Sequence, residues 1–157
     1  MHAVSVRQAV LSDLGVLVPL FDGYRQFYGQ APDLAGAEAF LRERIGQGES
    51  VLFLAHAAGL PVGFTQLYPS FSSVSLARTF ILNDLYVLPS RRRAGVASEL
   101  LSAAVAYARE LDAVRLTLNT DIQNASAQAT YEARGWKRDR EFCVYHFTPR
   151  GEHERSS

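Results

Sequence analysis

Residues 82–101, "LNDLYVLPSRRRAGVASELL", constrain the fold most strongly. An apolar strand pattern stops at Pro89, passes through Arg91, Arg92 and Arg93, and becomes an amphipathic helix after Ala94-Gly95. Val96, Leu100, Leu101, Ala104, Val105, Ala108 and Leu111 form the apolar stripe of that helix. Residues 113–120, "AVRLTLNT", then alternate Val114, Leu116 and Leu118 against Arg115, Thr117 and Asn119, as a half-buried strand does. A strand, a helix and a strand in direct succession point to a sheet with a helix packed on it.

The remaining segments fit the same plan. Residues 3–9 alternate enough for a first strand. Ser12-Asp13 starts a helix carrying Leu14, Leu17, Leu20, Phe21, Tyr24, Phe27 and Tyr28, with Pro19 predicting a kink or a later start. "GQAPD" breaks the pattern, and Ala37, Phe40, Leu41 and Ile45 form a second helix ended near Gly46–Gly48. Strands at 51–56 and 61–69 flank a turn at "AAGL", "FSSVSLA" reads as loop, and 78–88 is long enough for a central strand. Asn124 caps a short helix over 125–134, which Gly135 stops. "WKRDREFCVYHF" supplies one or two last strands. The order predicts an α/β or α+β fold: a mixed sheet flanked by about four helices.

With 157 residues and 48% hydrophobic content, the chain supplies one core, so residues 1–150 are expected to form a single domain and 151–157 a polar tail. Formal net charge is zero, which gives no general attraction to nucleic acid or anionic membranes. A single cysteine, Cys143, allows no intrachain disulfide and argues against a cysteine-built metal site, so no metal is expected. No stretch approaches the roughly 18 apolar residues of a membrane span. The start "MHAVSVRQAV" has no basic region followed by an apolar run, so the expected location is cytoplasmic.

The arginine-glycine junction has its own chemistry. A helix N-terminus offers unpaired N–H groups and partial positive charge, and phosphates bind there. Gly95 lets the backbone approach a bulky anion, Ala97 is also small, and arginines add charge-assisted hydrogen bonds. The junction reads as a pyrophosphate cradle, although neither the Walker loop nor the dinucleotide fingerprint is present. Solvated arginines at a surface turn fit the same residues.

Arg92-Arg93-Ala94-Gly95-Val96-Ala97 resembles the Arg/Gln-x-x-Gly-x-Gly/Ala acetyl-CoA signature of the GNAT superfamily of N-acetyltransferases. "LNDLYVLP" resembles that family's fourth strand, "VASELLSAAVAYAREL" its third helix, and "NASAQATYEARGW" its fourth-helix segment. The likeness covers roughly residues 4–147, and "LNDLYV" followed by R-x-x-G resembles the branch of diamine acetyltransferases and histone-acetyltransferase-like relatives. It implies a mostly antiparallel central sheet and transfer of an acetyl group from acetyl-CoA to a primary amine in a ternary complex. Dimers are common in the superfamily, so a homodimer is a further expectation.

The resemblance also assigns roles. The strand end Leu85-Tyr86-Val87 would bind acetyl-CoA through backbone groups. Arg92, Arg93, Ala94, Gly95, Val96, Ala97 and Ser98 would hold the pyrophosphate, and Asn124 would contact the coenzyme arm. Tyr131 falls on the general-acid tyrosine, and a phenol suits protonation of a leaving thiolate. Several relatives carry Glu where this chain has Asn83. Either Asp84 reaches the site through a local bulge, or Asn83 holds a relaying water. His56 is a further titratable residue on a strand. Tyr24, Phe27 and Tyr28, with Phe64, Gln66 and Tyr68, could line a slot for an amine stem or pack into the core. The resemblance implies a small-molecule amine or a protein lysine as acceptor.

Two other classes compete. A coenzyme-binding sensor without transferase activity fits the missing glutamate at position 83 but not Tyr131. A nucleic-acid-binding domain would use Arg91–Arg93 with Lys137-Arg138, but the zero net charge and lack of a second basic stripe oppose it.

Overall fold

A computed structural model describes residues 3–151. Five strands, β1 (Val4–Gln8), β2 (Val51–Ala57), β3 (Leu60–Ser72), β4 (Ala77–Val87) and β5 (Arg115–Leu118), lie side by side in chain order. The first three pairings are antiparallel; β4 and β5 are parallel. The crossover between those two is the helix α3 (Val96–Glu110), as parallel neighbours require. The hairpin between β2 and β3 turns on Ala58 and Gly59 alone, with φ of 52° and 75°. Two left-handed residues match the twist of a two-residue hairpin.

Helices α1 (Leu14–Phe27) and α2 (Leu34–Gly46) precede the strand block. Pro19 lies inside α1 without ending it, and a short 3-10 turn at Leu11–Asp13 leads in. Asp13 ties this entry to β1: Arg7 donates to its two carboxylate oxygens at 2.7 and 2.8 Å, and the Val10 N–H at 2.8 Å. These donors, Arg7 foremost, hold the Asp13 pKa down at about 2. Asp33 caps α2, its Oδ1 accepting from the Gly36 N–H at 2.9 Å.

The helices cover both faces of the sheet. Leu14, Leu17, Val18, Leu20 and Phe21 of α1, with Ala37 and Leu41 of α2, pack on Leu52, Leu54, Phe64 and Tyr86. On the opposite face, Tyr107 of α3 meets Phe53 and Phe80 with ring centroids 5.6 and 5.5 Å away. Each buried Leu or Phe contributes about 1.5–3 kcal/mol. Gly63 of β3 permits the close seat of α3. A Cβ there would lie 2.7 Å from the Tyr86 carbonyl oxygen and 3.3 Å from Val96 Cγ1.

The described residues divide into two compact units, 3–119 and 120–151. The second contains helix α4 (Ala125–Ala133), capped by Asn124, whose Oδ1 accepts from the Ala127 N–H at 3.0 Å. Gly135, with φ of 91°, closes α4 as expected. The last strands expected within 136–147 do not form. Asp139 Oδ1 instead accepts the N–H groups of Glu141 at 2.9 Å and Phe142 at 3.1 Å. Such a local turn takes the donors that a strand ladder would need.

Candidate active site

The site is built on an irregularity in β4. Gln66 faces Asp84 across the β3–β4 pairing, but the next residue, Leu67, faces Leu82. Asn83 is therefore an extra residue in β4, a β-bulge. Buried Phe80, Leu82, Asp84 and Tyr86 alternate as though they shared one face. The bulge divides them. Phe80 and Leu82 point to the α3 side, whereas Asp84 and Tyr86 point to the α1 side.

The same bulge opens the sheet. Pairing of β4 with β5 ends at Leu82–Leu118, one residue before Asn83. Bulges bend and twist the strand that carries them, so the β4 stretch beyond Leu82 leaves its parallel neighbour. The Leu88 N–H donates to the Val62 carbonyl directly opposite at 2.9 Å. Alternation from that bonded pair turns the N–H groups of Leu85 and Val87 away from β3, to the open edge. Tyr86 keeps its backbone bonds to β3 and packs its ring into the core.

Gly95, with φ of 82°, leads into α3 without a side-chain cap. The first bond inside this helix runs from the Glu99 N–H to the Gly95 carbonyl at 3.1 Å. The N–H groups of Val96, Ala97 and Ser98 thus have no acceptor within the helix. A Cβ placed on Gly95 meets nothing within 4 Å, so the approach is open. Ala94 is exposed, and Arg93 has a left-handed φ of 64°, unusual for a non-glycine residue. Arg92 behaves differently: its Nε donates to the Val87 carbonyl at 3.1 Å, and its guanidinium stacks 5.2 Å from the Phe27 centroid and 5.9 Å from that of Tyr86. Free N–H groups at one helix end and an open strand edge fit a pyrophosphate and an extended amide arm.

Asp84 is 2% exposed and surrounded by donors. Asn83 Nδ2 donates to its Oδ1 at 2.7 Å, and Gln66 Nε2 donates to its Oδ2. The Thr65 hydroxyl fixes the Asp84 carbonyl at 2.7 Å. Tyr24 reaches over from α1, its hydroxyl donating to the Asn83 carbonyl at 3.3 Å. Burial raises the Asp84 pKa above the usual carboxylate value, against the opposing pull of Asn83, Gln66 and Tyr24. Tyr24 and Tyr68 are both pushed upward, first by burial and then by the Asp84 charge.

Of the expected acceptor residues, Tyr24, Gln66 and Tyr68 gather around Asp84, and Tyr28 packs beside Tyr24 at 5.0 Å between centroids. Phe64 and Tyr86 stand edge-on to Tyr24 at 5.9 and 6.3 Å. Asn124 and Tyr131 belong to the second unit, where Asn124 is the helix cap and Tyr131 lies 6.2 Å from Trp136 between ring centroids. His56 sits on β2, half-buried. The sequence reading missed Ser50 and Thr65; Ser50 donates to Gln66 Oε1 at 2.6 Å. No local pattern marks either residue. Among the described residues, no cluster of three or more His, Cys, Asp or Glu forms a metal site, and no helix is long and apolar enough to cross a membrane.

A sheet that opens at a bulge next to an uncapped helix terminus is the architecture of a coenzyme-dependent acyltransferase. The chain belongs to the acetyltransferase (GNAT) family, whose sequence model matches residues 18–136. It is 49% identical over 142 residues to the uncharacterized N-acetyltransferase YhfO of Bacillus subtilis (strain 168), covering 90% of this chain and 95% of that protein. A crystal structure of a probable acetyltransferase superposes with a TM-score of 0.89 at 44% identity, over 94% of this chain and 99% of the other. An aminoglycoside N-acetyltransferase crystallised with CoA shares the fold at a TM-score of 0.74 and 21% identity, over 94% and 96% of the two chains. The protein is thus an N-acetyltransferase of a family that uses acetyl-CoA.

Proposed function

We propose that this chain acetylates a primary amine by direct attack in a ternary complex, with Asp84 as the general base. The observation that carries this reading is the bulge at Asn83, which turns Asp84 onto the α1 face beside the open edge of β4. A buried carboxylate attracts an ammonium group and then accepts its proton. Its raised pKa makes it a better base than an exposed aspartate. Tyr24 and Tyr28, backed by the buried rings of Phe64 and Tyr86, supply aromatic surface for the amine's alkyl stem, and Tyr68, with buried Gln66 behind it, completes the polar wall.

Acetyl-CoA supplies the acetyl thioester. In this reading the Leu85 and Val87 N–H groups pair with its extended arm, and one of them donates to the thioester carbonyl as charge develops there. Ala94 through Ser98 hold the pyrophosphate, chiefly through the N–H groups of Val96, Ala97 and Ser98. Arg93 adds charge, while Arg92 braces the end of β4 at Val87. Asn124 and Tyr131 keep the roles that the family likeness gives them, coenzyme contact and proton donor to the departing thiolate. The acceptor slot, aromatic with one buried carboxylate, suits a small alkylamine of the kind handled by the diamine-acetylating branch better than a polycation. Residues 1–150 act as one acetyltransferase domain in this reading.

The test is thiol release from acetyl-CoA in the presence of a panel of alkylamines, aminoglycosides, amino acids and lysine peptides. Turnover with at least one small amine is expected. Tight CoA binding without turnover on any amine would replace the transferase reading by that of a coenzyme sensor.

A further inference from the structure

We propose that Ser50 is a positioning residue for Asp84 and acts through the side chain of Gln66. The inference rests on the reading of Asp84 as the base. Ser50 lies in the connection between α2 and β2, away from the motif segments. Its hydroxyl donates to Gln66 Oε1 at 2.6 Å, and Gln66 Nε2 donates onward to Asp84 Oδ2. Gln66 itself is fully buried.

A primary amide has an accepting end and a donating end. Turned over, Gln66 would set its oxygen against the Asp84 carboxylate. The Ser50 hydroxyl holds the accepting end, and so aims the donating end at Asp84. Bonds in series also polarise one another, which strengthens the N–H donor. Without the hydroxyl, Gln66 Oε1 is a buried acceptor lacking its donor. The side chain relieves this by moving toward another donor or toward water, and Nε2 leaves Asp84. The ionised carboxylate loses more than the neutral acid does, because a charge-assisted hydrogen bond is about twice as strong as a neutral one.

Other groups face Asp84 as well. Tyr24 approaches from α1, Tyr68 from β3 and Asn83 from the bulge, and Arg44 of α2 acts on Tyr68. Tyr24 and Asn83 act on Asp84 directly and stay in place when Ser50 changes, whereas Tyr68 also interacts with the Gln66 side chain. The effect of Ser50 therefore runs through Gln66 and what Gln66 touches.

Ser50→Ala should move the Asp84 midpoint upward by about one pH unit, the difference between a charge-assisted and a neutral hydrogen bond. The midpoint is read from the Asp84 carboxyl carbon by NMR, assigned with Asp84→Asn. The acid limb of kcat/KM should move with it. Ser50→Thr should restore both, and Ser50→Ala should have no further effect in a Gln66→Leu background. An unmoved carboxyl midpoint in Ser50→Ala overturns the proposal, as does a full shift in the Gln66→Leu background. A shifted midpoint with an unmoved kcat/KM limb upholds the positioning role and removes Asp84 from the base role instead.

Discussion

Replacing Asp84 by Asn keeps the side chain's shape and removes its charge, and the surroundings set what should follow. The carboxylate receives the Gln66 amide and the Asn83 amide, and it is 2% exposed. An Asn at this position accepts through one oxygen only, so one of the two donating amides, Gln66 or Asn83, must turn over to receive its new N–H. Turnover loses the proton acceptor. Loss of a general base costs about 10²–10⁴ in kcat/KM at neutral pH, or about 2.7–5.4 kcal/mol. The deficit should shrink as pH rises toward the amine's own pKa, because the free amine then arrives already neutral. Steady-state kinetics from pH 6 to 10 give the profile. Asn83→Ala, which removes only an amide, should lose less. Stability should change in a linked way. A native pKa raised by burial means that the folded state keeps a proton the unfolded state has released. Wild-type stability therefore falls as pH rises from about 3.9, the unfolded value, through the native midpoint. Asp84→Asn lacks that loss, so its melting temperature relative to wild type should climb across this window and then level off. An Asp84→Asn enzyme with wild-type kcat/KM at every pH would refute the role of the carboxylate, and a flat difference in melting temperature would refute its buried, raised pKa.

Three further outcomes are expected. Gly63→Ala places a Cβ 2.7 Å from the Tyr86 carbonyl oxygen, a backbone atom that cannot swing aside, and should cost about 1–3 kcal/mol; thermal melting reads this at roughly 2–4 °C per kcal/mol. Gly95→Glu sets a carboxylate beside the N–H groups of Val96–Ser98 and puts a side chain at φ of 82°; CoA affinity by calorimetry should fall at least tenfold, about 1.4 kcal/mol, and unchanged binding would remove the cradle. Tyr131→Phe keeps the ring beside Trp136 and removes the hydroxyl; kcat should drop by roughly 10²–10⁴ with CoA affinity little changed, and full turnover would leave Tyr131 a packing residue.

Local periodicity determined much of this protein. The stripe from Val96 to Ala108, the alternation of residues 115–118 and the Asn124 cap were legible because each depends on residues within a turn or two of one another. The uncapped helix start after Gly95 was legible for the same reason. The sequence leaves the face on which Asp84 sits between two alternatives, a bulge that brings it to the site or a regular strand with a water on Asn83. Burial at Phe80, Leu82, Asp84 and Tyr86 looks like one continuous face, and only the register against β3 shows that Asn83 splits it. A bulge belongs to a pair of strands, so a single strand's sequence carries no mark of it. The donors to Asp84 are likewise spread across the chain, with Tyr24 on α1 and Gln66 on β3, and Ser50 reaches it through Gln66. Arg92 shows the same division. The motif marks Arg92 as part of the junction, while the partners of its guanidinium, the Val87 carbonyl and the rings of Phe27 and Tyr86, come from the fold. The segment after Trp136 has the apolar content of a strand, yet Asp139 takes the N–H groups that a ladder needs. Propensity acts along the chain, whereas hydrogen-bond partners are assigned in space, and the carboxylate at the centre of this site gets its face and its donors from that assignment.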